Sequence, residues 1–290
     1  MMQCTQGSVP EASQKEIAPN LRQQGFFLCC QCIPENDIKI STPESDHLYI
    51  CAELIDKQQL SPQVYRYRLQ TAVPVYYHAG QFVNVKRTNG VTRSYSLASL
   101  PSEDNYIEFH VKRMPNGEMS NWMADEFNVS DSIEITGPMG SCFYLNDMSA
   151  QPILLVGSGT GLAPLIGVVR DALHNNHTNS IHIYHGAFNE EELYLDKEIN
   201  ELAKQHDNVH YKACITSESS VETIEQGRAC EVALLNHPDL KGWQVFLCGA
   251  PSLVKFMQQQ AYLKGAAMQD IHTDPFETND LREQDREDTP

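Results

Sequence analysis

One stretch near the middle of the chain, Pro152 to Ile166 (PILLVGSGTGLAPLI), constrains the fold more than any other. Ile153, Leu154, Leu155 and Val156 form a short apolar run that reads as a buried parallel strand, and Gly157 follows at once. Gly157, Gly159 and Gly161 alternate with Ser158 and Thr160, so the backbone can turn tightly and let a bulky anion approach its amides. From Leu162 the pattern predicts a helix: Pro164 suits a first turn, and Leu165, Val168, Val169 and Leu173 give it an apolar face. Strand, glycine turn and helix N-terminus converge on one point, where free amides and the helix dipole favour a phosphate. The G-x-G-x-G spacing meets the dinucleotide fingerprint G-x-G-x-x-G only in part, and a flexible connection between core elements would read the same way.

Downstream, strand-like and helix-like segments alternate: Ser180–Tyr184, Glu190–His206, Asn208–Ile215, Ala229–Asn236, Val245–Leu247 and Pro251–Leu263. This order predicts an open parallel sheet with crossover helices. Cys248-Gly249-Ala250-Pro251 stands at the end of one of its buried strands, where a cysteine is either inert core or part of a site. Upstream, from His47, the texture is antiparallel β. Leu48–Leu54, Gln63–Leu69, Gln81–Val85, Tyr106–Val111 and Ser132–Ile135 are strand-like runs at the spacing of a small barrel.

Within this barrel lies Arg93-Ser94-Tyr95-Ser96. On a strand, Arg93 and Tyr95 point one way and Ser94 and Ser96 the other. A guanidinium and a ring on one face suit a pyrophosphate and a flat ligand, or simply a solvated arginine beside a packing tyrosine. Gly117-Glu118-Met119-Ser120 precedes a helical pattern from Asn121 to Phe127 and offers a second set of amides, with the Ser120 hydroxyl. Gly137-Pro138-Met139-Gly140 reads as a tight turn that closes this part of the chain.

The 290 residues carry 21 basic and 38 acidic side chains, a formal charge of -17, which opposes nucleic acid and anionic lipid as partners. The start, MMQCTQGSVPEASQKE, lacks a basic segment followed by an apolar core, and no apolar run approaches membrane-spanning length. A cytoplasmic protein is expected. Its nine cysteines, an odd number without a secretion signal, read as thiols rather than a disulfide framework. Only Cys29, Cys30 and Cys32 cluster, and with a single C-x-x-C spacing, Cys29 to Cys32, and no second pair they do not match a zinc or iron–sulfur pattern on their own.

Taken in order, Arg93-Ser94-Tyr95-Ser96, Gly117-x-x-Ser120, Gly137-Pro138-Met139-Gly140, Gly157-x-Gly159-Thr160-Gly161-x-x-Pro164-Leu165 and Cys248-Gly249-Ala250-Pro251 resemble the ferredoxin–NADP reductase superfamily over about Leu48 to Phe276. By motif the chain looks like reductase components of bacterial oxygenases, CDP-deoxyhexose reductases and NAD(P)H–flavin reductases. The resemblance implies an FAD-binding β-barrel at residues 46–149, followed by an α/β open parallel-sheet domain for NAD(P)H at residues 150–276, with the flavin between them. It implies that Arg93 contacts the FAD pyrophosphate, Tyr95 lies against the isoalloxazine and Ser96 hydrogen-bonds near flavin N5, with Ser94 beside them. Gly117, Met119 and Ser120 hold the other side of the pyrophosphate. Gly157, Gly159, Thr160 and Gly161 receive the phosphates of the nicotinamide nucleotide. Cys248, with Gly249, sits by the nicotinamide, and Phe276 matches a terminal aromatic that stacks near the flavin. Ser96 and Cys248 are thus the expected catalytic positions.

Gly7 to Ile40 resembles the C-terminal half of a plant-type [2Fe–2S] ferredoxin, with Gly25, Leu28 and Cys30 at the positions of its G-x-x-L-x-C segment. The other three ligands would fall before Met1, so residues 1–45 read as a ferredoxin-like remnant in which no assembled cluster and no metal site is expected. Residues 277–290, rich in Asp and Glu, read as a disordered acidic tail.

After the second strand of the parallel sheet, Phe188 stands where relatives often carry arginine, and Glu190, Glu191 and Glu192 follow. Three carboxylates would repel a ribose 2′-phosphate, which favours NADH, while Arg228 keeps NADPH open. The function expected is an FAD-dependent NAD(P)H oxidoreductase passing electrons to free flavin, a ferredoxin or an oxygenase partner. Two alternatives stand beside it: a [2Fe–2S]/FAD electron-transfer component whose cluster-binding half lies upstream, and a flavin-binding protein without turnover.

Overall fold

The computed structural model of the chain describes residues 2–15, 17, 21–22, 25–41 and 49–277, which form three sheets. The first is small and antiparallel: β1 (Met2–Gln6) lies between β2 (Phe26–Phe27) and β3 (Lys39–Ser41). Phe26, Phe27 and Ile17 are its buried core. Cys29 and Cys30 are exposed on a single 3-10 turn, and Cys32 is half-buried just after it. The tail expected from residue 277 lies, beyond Glu277, outside the described residues.

Six antiparallel strands follow: β4 (Ile50–Ser61), β5 (Val64–Thr71), β6 (Phe82–Lys86), β7 (Thr92–Ser96), β8 (Ile107–Lys112) and β9 (Ser132–Met139). Their order is β7-β6-β9-β4-β5-β8, and a bridge between Leu97 and Phe109 joins the two ends into a barrel. Inward positions such as Leu54, Tyr67, Leu69, Val83, Val85 and Phe109 are fully buried, each stabilising the fold by ~1.5–3 kcal/mol. Helix α1 (Glu118–Asp125) plugs one end with Met119 and Met123. β4 is longer than the run to Leu54 suggests, because its polar second half pairs with β5 as far as Ser61 and Val64. Gly137-Pro138-Met139, expected as a turn, instead completes β9, where Met139 pairs with Phe82.

The third sheet is parallel. In chain order come β10 (Ile153–Ser158), α2 (Leu162–His174), β11 (Ile181–Ala187), α3 (Asp196–Gln205), β12 (Val209–Ile215), β13 (Ile224–Gln226), α4 (Ala229–Asn236), β14 (Gln244–Gly249), α5 (Pro251–Leu263) and β15 (Ile271–Pro275). The order β13-β12-β11-β10-β14-β15 reverses at β10, and ligands of such sheets bind beyond the carboxyl ends of the strands at that switch point. Helices on both faces explain why Ile153, Leu154, Leu155 and Val156 are all wholly buried. The single helix expected over Glu190–His206 is broken: a 3-10 turn at Glu190–Glu192 is followed by Leu193, Tyr194 and Leu195 before α3 begins. Leu195 takes φ 58, and Tyr194 turns inward.

Barrel and parallel sheet are clamped together through α2. A Cβ at Gly167 would stand 3.0 Å from the Leu97 carbonyl oxygen, so glycine lets the helix lie close without pushing the barrel backbone back. One turn on, Arg170 donates to both carboxylate oxygens of Asp104 at 2.6 and 3.1 Å and to Glu103 at 3.1 Å. A bidentate pair of this kind fixes orientation as well as distance.

Candidate active site

The barrel and the parallel sheet meet in a cleft of about 1120 Å³, just above the usual range for small-molecule sites. One wall is β7. Arg93, Ser94, Tyr95 and Ser96 all line the cleft, although alternation alone assigns them to opposite faces. As an end strand in the sheet order, β7 borders the cleft along its edge. The Tyr95 ring is stacked on Phe109 at 5.0 Å and 10°, which leaves its other face toward the cleft. Arg93 gives one N–H to the Thr92 carbonyl at 2.8 Å, out of five donors on its guanidinium. Ser94 donates to Asn84 at 2.7 Å.

Ser96 donates across the cleft to Asp274 Oδ2 at 2.5 Å, joining the barrel to the last strand of the parallel sheet. Burial raises the Asp274 carboxyl above the usual range, against the effect of this hydrogen bond. The expected site included Ser96 and Phe276 without their common neighbour. Asp274 lies 178 residues from Ser96, and no local pattern connects them. Phe276 also lines the cleft, held by its amide to the Gly249 carbonyl at 2.8 Å.

The N-terminus of α1 forms the next part of the wall, with Gly117, Glu118, Met119 and Ser120. Amides in a first helical turn have no partner within the helix. The Ser120 hydroxyl is already used inside the turn: it accepts from the Met114 amide at 3.1 Å and donates to the Gly117 carbonyl at 3.3 Å. The side chain of Met119 is buried in the barrel core, so its contribution to the cleft comes from the backbone.

Opposite stands the glycine turn, whose three glycines have three separate reasons. A Cβ at Gly157 would meet Leu165 Cδ1 at 2.7 Å, and one at Gly161 would meet the Cys248 carbonyl oxygen at 2.4 Å. Both positions are matters of packing. Gly159 has φ +52 and nothing within 4 Å of its missing Cβ, so it supplies a left-handed turn beside open space. Ser158, Gly159 and Thr160 line the cleft, whereas Gly157 and Gly161 lie beneath them.

His185, not expected in the site, holds this turn from below. Its Nε2 donates to the Gly159 carbonyl at 3.1 Å, which draws that oxygen away from the cleft. Burial depresses the imidazole to about 4, offset in part by this bond. A wholly buried polar residue at the carboxyl end of a parallel strand was the available signal.

Cys248 does not border the cleft, contrary to expectation. It is fully buried, with its sulfur 3.6 Å from that of Cys142, and burial pushes its thiol well above the usual range. Cys248 lies inside β14, and Gly249 at the strand's end and Ala250 after it line the cleft instead.

Of the three acids after β11, only Glu192 lines the cleft. It pairs with Lys112 of the barrel at 3.5 Å, while Glu190 accepts from Ser219 at 2.5 Å. Arg228 lines the same end, 3.7 Å from Glu231.

Residues present in the cleft suit an extended dinucleotide flavin. A bare tyrosine face, a guanidinium and first-turn amides are set along one wall, and an open glycine turn faces them for a second nucleotide. Among the described residues, no helix is long and apolar enough to cross a membrane.

Comparison with known proteins agrees with this geometry. Residues 51–144 match the family model for oxidoreductase FAD-binding domains, and residues 155–259 that for oxidoreductase NAD-binding domains. The chain is 31% identical to the ferredoxin–NAD(P)+ reductase component of the naphthalene 1,2-dioxygenase/salicylate 5-hydroxylase systems of a Ralstonia species, over 94% of this chain and 88% of that protein. It is similar to a crystal structure of an Amycolatopsis cytochrome P450 reductase, with a TM-score of 0.74 and 26% identity over 95% of this chain and 86% of the other. A ferredoxin NADP+ reductase from Neisseria gonorrhoeae, solved with FAD and NADP bound, shares the fold at a TM-score of 0.70 and 17% identity, covering 79% of this chain and 99% of its own. The first two likenesses extend into the N-terminal sheet. The chain accordingly belongs to the ferredoxin–NADP reductase superfamily, as an FAD-containing oxidoreductase that draws its electrons from NAD(P)H.

Proposed function

We propose that this protein is a cytoplasmic reductase component that oxidises NADH in preference to NADPH and passes electrons to a protein acceptor of the ferredoxin or oxygenase type. The observation that carries the reading is the joining of Arg93, Tyr95, the α1 N-terminus and the Gly159 turn along one cleft. Two of the relatives named above are a reductase component of dioxygenase and hydroxylase systems and a cytochrome P450 reductase.

In this reading Arg93 and the amides of Gly117 to Ser120 hold the FAD pyrophosphate, and Tyr95 supports the ring system. Ser158, Gly159 and Thr160 receive the phosphates of the nicotinamide nucleotide, with His185 keeping the Gly159 carbonyl turned away from them. When bound, the flavin supplies a two-electron acceptor for the nicotinamide hydride and a store from which electrons leave one at a time. The chain provides orientation and the exclusion of water. Ser96, while donating to Asp274, presents acceptor lone pairs to the cleft; with Asp274 protonated, the same hydroxyl can present its proton instead. The pair therefore holds or releases one proton at the Ser96 oxygen.

Anaerobic addition of NADH to the FAD-loaded protein tests the function directly. Bleaching of the flavin and its return on adding an acceptor protein are expected; flavin that stays oxidised under excess NADH and NADPH overturns the reading. Arg93→Ala should weaken FAD retention by about 10–100-fold, the loss of one or two charge-assisted hydrogen bonds. Flavin content equal to wild type after dialysis would remove Arg93 from the site. Glu192→Gln should narrow the preference for NADH by about threefold, since a half-exposed charge is worth no more than ~1 kcal/mol. An unchanged ratio would place the ribose elsewhere.

A further inference from the structure

β8 carries two polar side chains on the face turned away from the barrel core, Glu108 and His110, and both are buried because the nucleotide-binding half covers them. Burying a carboxylate this way is costly unless every lone pair is answered. Here Arg68 Nε donates to Glu108 Oε2 at 2.6 Å and His110 Nε2 to Oε1 at 3.1 Å. Burial opposes ionisation of Glu108, but these bonds outweigh it and bring the carboxyl down to about 2. An ionised carboxylate only accepts, so His110 carries its proton on Nε2. Burial keeps the imidazole neutral, which makes Nδ1 an acceptor for the Tyr194 hydroxyl 3.2 Å away.

The chain of bonds therefore runs in one direction, from the Tyr194 hydroxyl through His110 to an anion in the barrel. Tyr194 also meets His110 and His185 edge-on, at 5.4 and 5.5 Å, and His185 is the residue that holds Gly159. One side chain thus touches the barrel strand and the support of the phosphate turn. The backbone is bent to seat it: Leu195 is left-handed, a conformation that costs a leucine about 1–2 kcal/mol.

We infer that Tyr194 is a positioning residue for hydride transfer, locking the glycine turn at a fixed distance from the barrel wall through His110 and Glu108. This rests on the function proposed above. Tyr194 does not line the cleft, so it acts on the distance between bound nucleotide and flavin without touching either. A displacement of about 1 Å at the reacting atoms can cost as much as a hundredfold in rate.

The test uses the FAD-loaded protein in anaerobic rapid mixing with NADH. Tyr194→Phe keeps the ring and removes the hydroxyl; His110→Gln keeps a donor for Glu108 and takes the acceptor away from the Nδ1 position that faces Tyr194. Each should lower the limiting rate of flavin bleaching about tenfold, with FAD content and half-saturating NADH within twofold of wild type and a larger isotope effect for C4-deuterated NADH. The double variant should be no slower than either single one, because both break the same link. A wild-type limiting rate, or a loss confined to thermal stability or half-saturation, overturns the inference. If Tyr194→Phe fails to retain FAD, His110→Gln decides by the same outcomes. Wild-type protein that NADH does not bleach would instead overturn the proposed function.

Discussion

Replacing Gly161 with alanine should all but abolish reduction by NADH while leaving FAD on the barrel. The added Cβ would stand 2.4 Å from the Cys248 carbonyl oxygen, 2.6 Å from its carbon and 2.8 Å from Gly249 Cα, all of them backbone atoms. None can swing aside as a side-chain tip would, so either the turn lifts from β14 or the end of β14 moves. Overpacking typically costs ~1–3 kcal/mol, and a backbone contact of this kind belongs at or above the upper end. Either displacement moves the phosphate turn relative to the flavin wall, and a fall of at least a hundredfold in the bleaching rate is expected. Gly159→Ala is the matching control: nothing lies within 4 Å of its Cβ, and its φ of +52 costs alanine about 1–2 kcal/mol. It should melt close to wild type while weakening nucleotide binding. A Gly161→Ala protein that melts and reacts like wild type would show that the turn does not rest on β14.

Much of the architecture could be read from the chain because its signals are local. A wholly apolar run, a glycine turn and an amphipathic pattern specify β10, the turn and α2 without outside information. The Arg93 to Ser96 and Gly117 to Ser120 segments likewise reach the cleft from their own sequence. Which way a side chain faces is another matter where a strand is buried on both sides. β14 is buried throughout, so no alternation reveals that Cys248 points into the core and only Gly249 reaches the ligand side. Nor does composition separate Glu192 from Glu190. The helix expected there is broken by Tyr194 turning inward, which rotates one acid to the cleft and another to Ser219. Ser96–Asp274 and His185–Gly159 are links between distant segments, made by the packing of the two halves.

Stability of the FAD-loaded protein should fall steadily as the pH drops from about 7 to 4, and His185 is the clearest cause. Buried without exposure, its imidazole is depressed from 6.5 to about 4 in the fold. The unfolded chain takes up that proton near pH 6.5, whereas the folded one refuses it until about 4. The stabilisation is therefore whole above pH 6.5 and is lost as the pH falls through the interval, by about 2 kcal/mol at pH 5. His182 is likewise depressed to about 4, by burial first and then by His237 and His210, and acts in the same direction. Asp274 and Asp171, raised by burial above the usual 3.8, act oppositely, because the folded chain takes up their protons before the unfolded one does. Glu108, held at about 2 against a reference of 4.5, extends the loss further into acid. Denaturant titrations at pH 7.5, 6 and 5 measure the slope, and His185→Leu should flatten it by the share of one proton even if the variant is less stable at pH 7.5. A stability that stays level or rises toward pH 5 would mean that the folded protein accepts these protons. His185 would then carry a charge beneath the phosphate turn in place of a neutral N–H fixing the Gly159 carbonyl.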